Sequence, residues 1–326
     1  MPKLRQNPLT GEWVVIAPER AKRPQDYVLS KPIPKKRVLE FCNFCPGGEA
    51  YNSRIEEAGS EHVYVVKNKY PAFVPEEAVV LDAGKLYFSQ KSIGDHEVIC
   101  FLDHQKDLEE LPPSHLEELF LVYQQRIRFH SQNPSIEYIM PIHNHGPEAG
   151  ESIEHPHSQL FASCVIPNQI RREVACCDDF YQKTGRCLLC EIMAEEKKQK
   201  VRLVAENDYF LVFCAYAPRF PFEMWLVPKE HQARFEEMNE KERHHLSLLF
   251  RRIIHQLFKG LNGPPYNFYL HTAPARQNHY QDYYHWHIEI LPRLTTFGGY
   301  ELGSGIVIDV VSPERAAEFL REVKVK

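Results

Sequence analysis

The chain has 326 residues, 43% of them hydrophobic and 25% charged, with a net charge of −5. That length is ample for one large domain or two fused ones, and mild acidity argues against a general affinity for nucleic acid or acidic membranes. The N-terminal Met1-Pro2-Lys3-Leu4-Arg5-Gln6 has no apolar signal core, and no run approaches the roughly 18 apolar residues of a membrane span, so a cytoplasmic location is expected.

In chain order, Asn7 to Ala17 reads as a turn and a strand. Arg20, Lys22 and Arg23 then form either a solvated basic turn or a phosphate clamp, because guanidinium forks match phosphate oxygens. Residues 25–38, rich in Pro and Lys, read as an exposed linker. Cys42-x-x-Cys45 before Gly47-Gly48 has the form of a metal knuckle that needs two more ligands from elsewhere. Strands are expected at 63–68 and 97–101, with His104 after the second. Ser114-x-x-Glu117 reads as a capping box opening a helix over 114–131, with Leu116, Leu119, Phe120, Tyr123 and Ile127 on its inner face. A strand over 136–142 leads to a loop from Asn144 to Ser152 whose glycines, Gly146 and Gly150, permit close backbone approach to a ligand.

His155-Pro156-His157-Ser158-Gln159 follows, entering an apolar run. In a strand, alternate residues share a face, so His155, His157 and Gln159 are expected in one row. A neutral imidazole attacks phosphorus and an amide N–H holds a phosphoryl oxygen, while Ser152 adds a hydroxyl.

The second half repeats this order: Cys187-x-x-Cys190, strands at 210–213 and 222–227, and His231. A helix follows from about Asn239 with a capping acid at Glu242, then a strand at 266–270, then His285-x-His287-x-Glu289. The single His precedes the paired His by 51 residues in one half and 54 in the other, so order persists while loop lengths drift. We read this as an internal duplication. Each half then offers a Cys2His2 set: Cys42, Cys45, His104 and His155, then Cys187, Cys190, His231 and His285. Closed four-ligand sets of this kind are structural. A redox role for the cysteine pairs is the rival reading. Of the remaining cysteines, Cys100, Cys164, Cys176, Cys177 and Cys214, none has such a pattern, and they read as small core residues.

The chain resembles the galactose-1-phosphate uridylyltransferase family of the histidine-triad superfamily. The residues that carry the resemblance are Arg20-Ala-Lys-Arg23-Pro24, Cys42-x-x-Cys45, Asp103-His104, Asn144-x-Gly146, Gly150-x-Ser152, His155-Pro-His157-x-Gln159, Pro167-Asn168, Glu173, His271-x-Ala273-Pro274 and His285-x-His287. The resemblance implies an α+β fold of two fused histidine-triad-like repeats, 1–166 catalytic and 167–326 scaffold. It implies an extended antiparallel sheet with helices packed outside, and a homodimer with composite sites. His157 would be the nucleophile in ping-pong transfer of UMP between a nucleotide sugar and a hexose 1-phosphate. Gln159 and Ser152 would hold phosphoryl oxygens. Asn68, Asn144, Gly150, Arg20, Arg23, Tyr300 and Glu301 would bind substrate.

The resemblance also implies two metals, zinc at the first site and zinc or iron at the second. The second site has a rival ligand set, Glu173, His271, His285 and His287, which shares His285 with the cysteines, so only one set is expected to fill. The cysteine set, and Phe297 to Gly305, resemble a plant-type branch that acts on ADP-glucose with phosphate. Thr295 and Val307 stand where the familiar enzymes use Lys and Gln to grip the hexose. A nucleotide hydrolase of the same superfamily is a further alternative, opposed by Gln159, where those enzymes carry His. His287 mirrors His157, but Glu289 replaces the Gln and no Gly-Ser loop precedes it, so the second half is expected to be scaffold.

Overall fold

The computed structural model describes residues 1–20, 28–29, 42–76, 80–84, 86–276 and 278–325. Arg23 and most of 25–38 lie outside these, so the clamp and linker readings are not addressed, beyond a short 3-10 turn at Pro18–Arg20.

The first half comprises β1 (Lys3–Gln6), β2 (Trp13–Ile16), α1 (Glu49–Asn52), β3 (Val63–Lys67), β4 (Val80–Ala83), β5 (Phe88–Gln90), β6 (Gly94–Phe101), α2 (Pro113–Ser131), β7 (Tyr138–His145) and β8 (His157–Ser163). The second half comprises α3 (Asn168–Thr184), α4 (Leu188–Gln199), β9 (Leu203–Glu206), β10 (Phe210–Cys214), β11 (Met224–Pro228), α5 (Glu240–Leu261), β12 (Tyr266–His271), β13 (His287–Pro292), α6 (Gly299–Ser304), β14 (Val307–Asp309) and α7 (Pro313–Glu322). The fold is α+β.

Nine strands form one antiparallel sheet in the order β3-β6-β8-β7-β12-β13-β11-β10-β9. Apart from the extra edge strand β9, the order is symmetric about the β7–β12 seam, where Tyr266 pairs with His145 and Tyr269 with Ile142. Reading outward from the seam gives β8, β6, β3 on one side and β13, β11, β10 on the other, as a duplicated chain requires. The N-terminal hairpin forms a small separate sheet, with β14 parallel to β2.

Helices α2 and α5 lie on one face. Leu116, Leu119, Phe120, Tyr123 and Ile127 are all buried there, as their spacing requires. Phe120 and Phe250 meet edge to face at 5.3 Å, and Phe250 meets Phe268 of β12 at 5.0 Å, so the two repeats share one core. The α5 capping box forms: Glu242 N–H donates to Asn239 Oδ1 at 3.0 Å, and Asn239 N–H to Glu242 Oε2 at 2.8 Å. The one expected at α2 does not. That helix opens one residue earlier, on Pro113 behind Pro112, and no side chain caps it. Proline's fixed φ suits the first helical turn and needs no N–H there. Glu117 instead reaches His244 of α5 at 2.9 Å.

The opposite face is covered unequally. In the second half, α3 and α4 pack over Leu211, Phe213, Trp225 and Val227. In the first half, the segment around Cys42–Tyr51 packs over Tyr64, Val66, Val98 and Cys100. That asymmetry leaves sheet surface accessible beside β8 and closes it beside β13.

Phe250→Ala removes the ring that joins α2, α5 and β12. It should lower unfolding free energy by about 3–5 kcal/mol in urea titration, whereas an unchanged midpoint would contradict a shared core.

Candidate active site and metal-ligand clusters

The first cluster begins with a tight turn. Cys45 N–H donates to Cys42 O at 3.2 Å and Gly48 N–H to Cys45 O at 2.8 Å. A Cβ on Gly48 would fall 2.3 Å from Asn43 O, so only glycine fits. His104 follows β6 and His155 precedes β8. The four ligand atoms of Cys42, Cys45, His104 and His155 lie within 4.8 Å of one another. Phe101 O, which only accepts, takes the His155 Nε2 hydrogen at 2.6 Å, and His155 Nδ1 then faces the cysteine sulfurs at 3.5 and 3.7 Å. This is how a ligating imidazole is fixed from behind. Burial, and then the neighbouring Cys42, push the Cys45 thiol up to about 11. Two thiols and two imidazoles gathered this closely are a donor set that suits a tetrahedral dication.

The second cluster repeats this geometry. Cys187, Cys190, His231 and His285 also gather within 4.8 Å. His285 Nε2–H donates to Pro228 O, at the end of β11, at 3.1 Å, as His155 does to Phe101 O at the end of β6. His231 Nε2–H donates to Gln281 O at 2.7 Å. The contact between the two thiols holds Cys187 low and raises Cys190. A dication is what stabilises the second thiolate.

The rival set does not assemble as expected. His285 turns to the cysteines, and Glu289 takes its place beside Glu173, His271 and His287 in a separate buried cluster. The two sets therefore do not compete for one imidazole. Among the described residues, these donor groupings are positioned to hold metal ions.

His155 stands just before the strand rather than within it, and its ring and that of His157 both meet Phe44. Pro156 has no N–H for the ladder, and β8 starts only at His157. His157 and Gln159 share a face opposite Cys100 and Val98 of β6, while Ser158 points to the helices and accepts from Tyr123 at 2.6 Å. His157 Nδ1–H donates to His155 O at 2.7 Å, which leaves the lone pair on Nε2. Burial holds this imidazole below its ordinary pKa, so the ring is neutral. Phe44, between the two cysteines of the knuckle, tilts against the His157 ring at 5.4 Å. Its place in the Cys-x-x-Cys turn was the signal available for this contact.

His157, Gln159, Ser152, Asn68 and Phe44 line one cavity of about 450 Å³. Asn144 is on the same sheet face, two residues beyond Ile142, which pairs with Gln159, and Gly150 closes near its amide. Asn144 and Glu301 line a second cavity of similar size, and Tyr300 is exposed on α6. Tyr300 and Glu301 are thus not brought to the His157 cavity within one chain.

His287 keeps the same backbone contact, to His285 O at 3.2 Å, but not the same surroundings. It is fully buried. Burial opposes its protonation, but Glu289 and Glu173 outweigh this and raise its pKa. Arg219 and Tyr269 in turn hold Glu289.

A duplicated antiparallel sheet with one accessible His-x-Gln strand and Cys2His2 clusters behind the paired histidines defines a nucleotidyltransferase class. Residues 1–167 match the galactose-1-phosphate uridyl transferase N-terminal domain and residues 173–325 its C-terminal domain. The chain belongs to that family. It is 32% identical to an ADP-glucose phosphorylase of Arabidopsis thaliana, over 99% of this chain and 93% of that protein. It is 28% identical to a galactose-1-phosphate uridylyltransferase of Thermotoga maritima over the full length of both. The crystal structure of an Arabidopsis thaliana ADP-glucose phosphorylase with bound ADP-glucose superposes over both whole chains with a TM-score of 0.84 at 30% identity.

Cys190→Ser should remove about one metal ion per chain, measured by elemental analysis, and Cys45→Ser likewise. Metal content unchanged by either substitution would reject that cluster as a site.

Proposed function

We propose that this protein transfers a nucleoside monophosphate between a nucleotide sugar and a sugar 1-phosphate through a covalent intermediate on His157. The observation that carries this is the 2.7 Å bond from His157 Nδ1–H to His155 O in a cavity shared with Gln159 and Ser152. The Nε2 lone pair attacks the α-phosphorus, the bond to the sugar 1-phosphate oxygen breaks, and the sugar 1-phosphate leaves. A second phosphate oxygen then attacks the same phosphorus, the P–N bond breaks, and the lone pair returns to Nε2. Gln159 and Ser152 hold the phosphoryl oxygens, and Asn68, Asn144 and Gly150 place the nucleotide. Arg20 and Arg23 meet the sugar phosphate. Zinc in the first cluster fixes His155 and Phe44, and through them His157. The second Cys2His2 set holds a second zinc, and the second repeat is scaffold. A homodimer completes the site, since Tyr300 and Glu301 lie at a different cavity from His157 within one chain.

The nucleotide is read as UMP, in line with the family that both halves match. A second reading is transfer of AMP from ADP-glucose to phosphate. It is supported by the assembled Cys187–Cys190–His231–His285 cluster and by the likeness to ADP-glucose phosphorylase.

Intact mass after a neutral quench tests both, because a P–N bond is acid-labile. With UDP-glucose, a UMP adduct on wild type and none on His157→Ala is the expected result. An AMP adduct from ADP-glucose alone moves the protein to the second reading. Consumption of either donor with no adduct would remove the covalent mechanism.

A further inference from the structure

Carboxamides have two nearly isosteric ends, one donating and one accepting, and only surrounding partners decide which end meets a ligand. Around His157 those partners are groups that cannot accept. Ala72 N–H donates to His96 Nδ1 at 3.3 Å. His96 must therefore carry its hydrogen on Nε2, which lies 2.8 Å from Gln159 Oε1. The other tautomer would set Nδ1–H against Ala72 N–H. Gln159 Oε1 is thereby taken, and its NH2 is the end left for the cavity.

Two other amides follow the same rule. Tyr70 N–H occupies Asn68 Oδ1 at 2.9 Å, so Asn68 also turns its NH2 inward. That NH2 is 3.2 Å from His96 Nε2, but the Nε2 hydrogen is directed to the nearer Gln159 Oε1 at 2.8 Å. Arg293, which only donates, bonds Asn267 Oδ1 at 3.1 Å, and Asn267 Nδ2 bonds Asn144 Oδ1 at 2.8 Å. Asn144 too is left with its NH2.

We propose that His96 is a positioning residue for phosphoryl transfer: anchored by Ala72, it locks the Gln159 carboxamide with its nitrogen toward the phosphoryl group that reacts at His157. A flipped Gln159 would aim a lone pair at an anion. His96 is buried on β6 and stacks on Phe161 at 4.0 Å, so its ring has no freedom to release the amide. Burial also keeps it neutral, as the Ala72 bond requires. The inference rests on the proposed covalent chemistry at His157 and adds a residue that never touches substrate.

The test is the single-turnover rate of adduct formation at saturating nucleotide sugar, using whichever of UDP-glucose and ADP-glucose labels the wild type. His96→Phe keeps the stacking but donates nothing. It should slow adduct formation by about ten- to a hundredfold, less than the roughly 10²–10³-fold cost of deleting a preorganised donor. His96→Gln places a donor nitrogen where Nε2 was and should recover most of the rate. In a Gln159→Ala background, His96→Phe should cost almost nothing further, because His96 acts only through Gln159. His96→Met, also without a donor, substitutes if the Phe variant loses metal or thermal stability. An undiminished rate in His96→Phe, or the same slowing with and without Gln159, would overturn the assignment. If wild type itself forms no adduct, both this inference and the transfer reading fall. Adduct on wild type with no effect at His96 defeats this inference alone.

Discussion

One hydrogen bond organises the site: His157 Nδ1–H to the carbonyl of His155. It fixes which ring nitrogen keeps a lone pair, and it does so from a residue that is itself held on two sides. His155 gives its Nε2 hydrogen to Phe101 O and turns Nδ1 to the cysteines. The same cysteine turn delivers Phe44 to the ring of His157. An imidazole on a strand would otherwise sample several χ2 settings, since that torsion is broad. The proposed nucleophile is thus constrained through backbone, ring face and tautomer by a cluster whose own atoms take no part in the chemistry.

The duplicate half shows what that hydrogen bond does not decide. His287 has the same contact to His285, the same cysteine cluster behind it and the same place in a mirrored sheet order. It differs in what lies above it. Helix α3 brings Glu173 over the strand, Glu289 stands where the other half has Gln159, and both carboxylates favour the charged ring. An acid in place of an amide changes the local charge, and a helix in place of a loop removes the cavity. Two side-chain environments built on one backbone plan therefore shift the two imidazoles in opposite directions, His157 down and His287 up.

Much of this was legible from spacing. The two Cys pairs, the single histidines and the His-x-His strands recur in order, and that order fixes which strands pair. Helix faces such as Leu116 to Ile127 follow from the 3.6-residue period. Three features were not legible. A proline between His155 and His157 delays the strand, so His155 stands before β8 rather than within it. His285 was read as common to two ligand sets, because nothing in one dimension shows that Glu289 reaches Glu173 and His271. Finally, Gln159 is visible as a motif residue, but His96 lies on another strand, and only the β6–β8 register brings them together.

The seam between the repeats has a consequence for how small the working unit can be. A chain cut after residue 166 would keep His157, the first Cys2His2 set and Ser152. It would also leave β7 as an unpaired edge, strip α2 of its packing on α5, and lose Asn267, which holds Asn144 from across the seam. Exposed edges and apolar helix faces of that kind recruit other chains. The proposed nucleophile sits in one repeat, but the smallest unit that pairs its sheet edge and packs its helix is the two together.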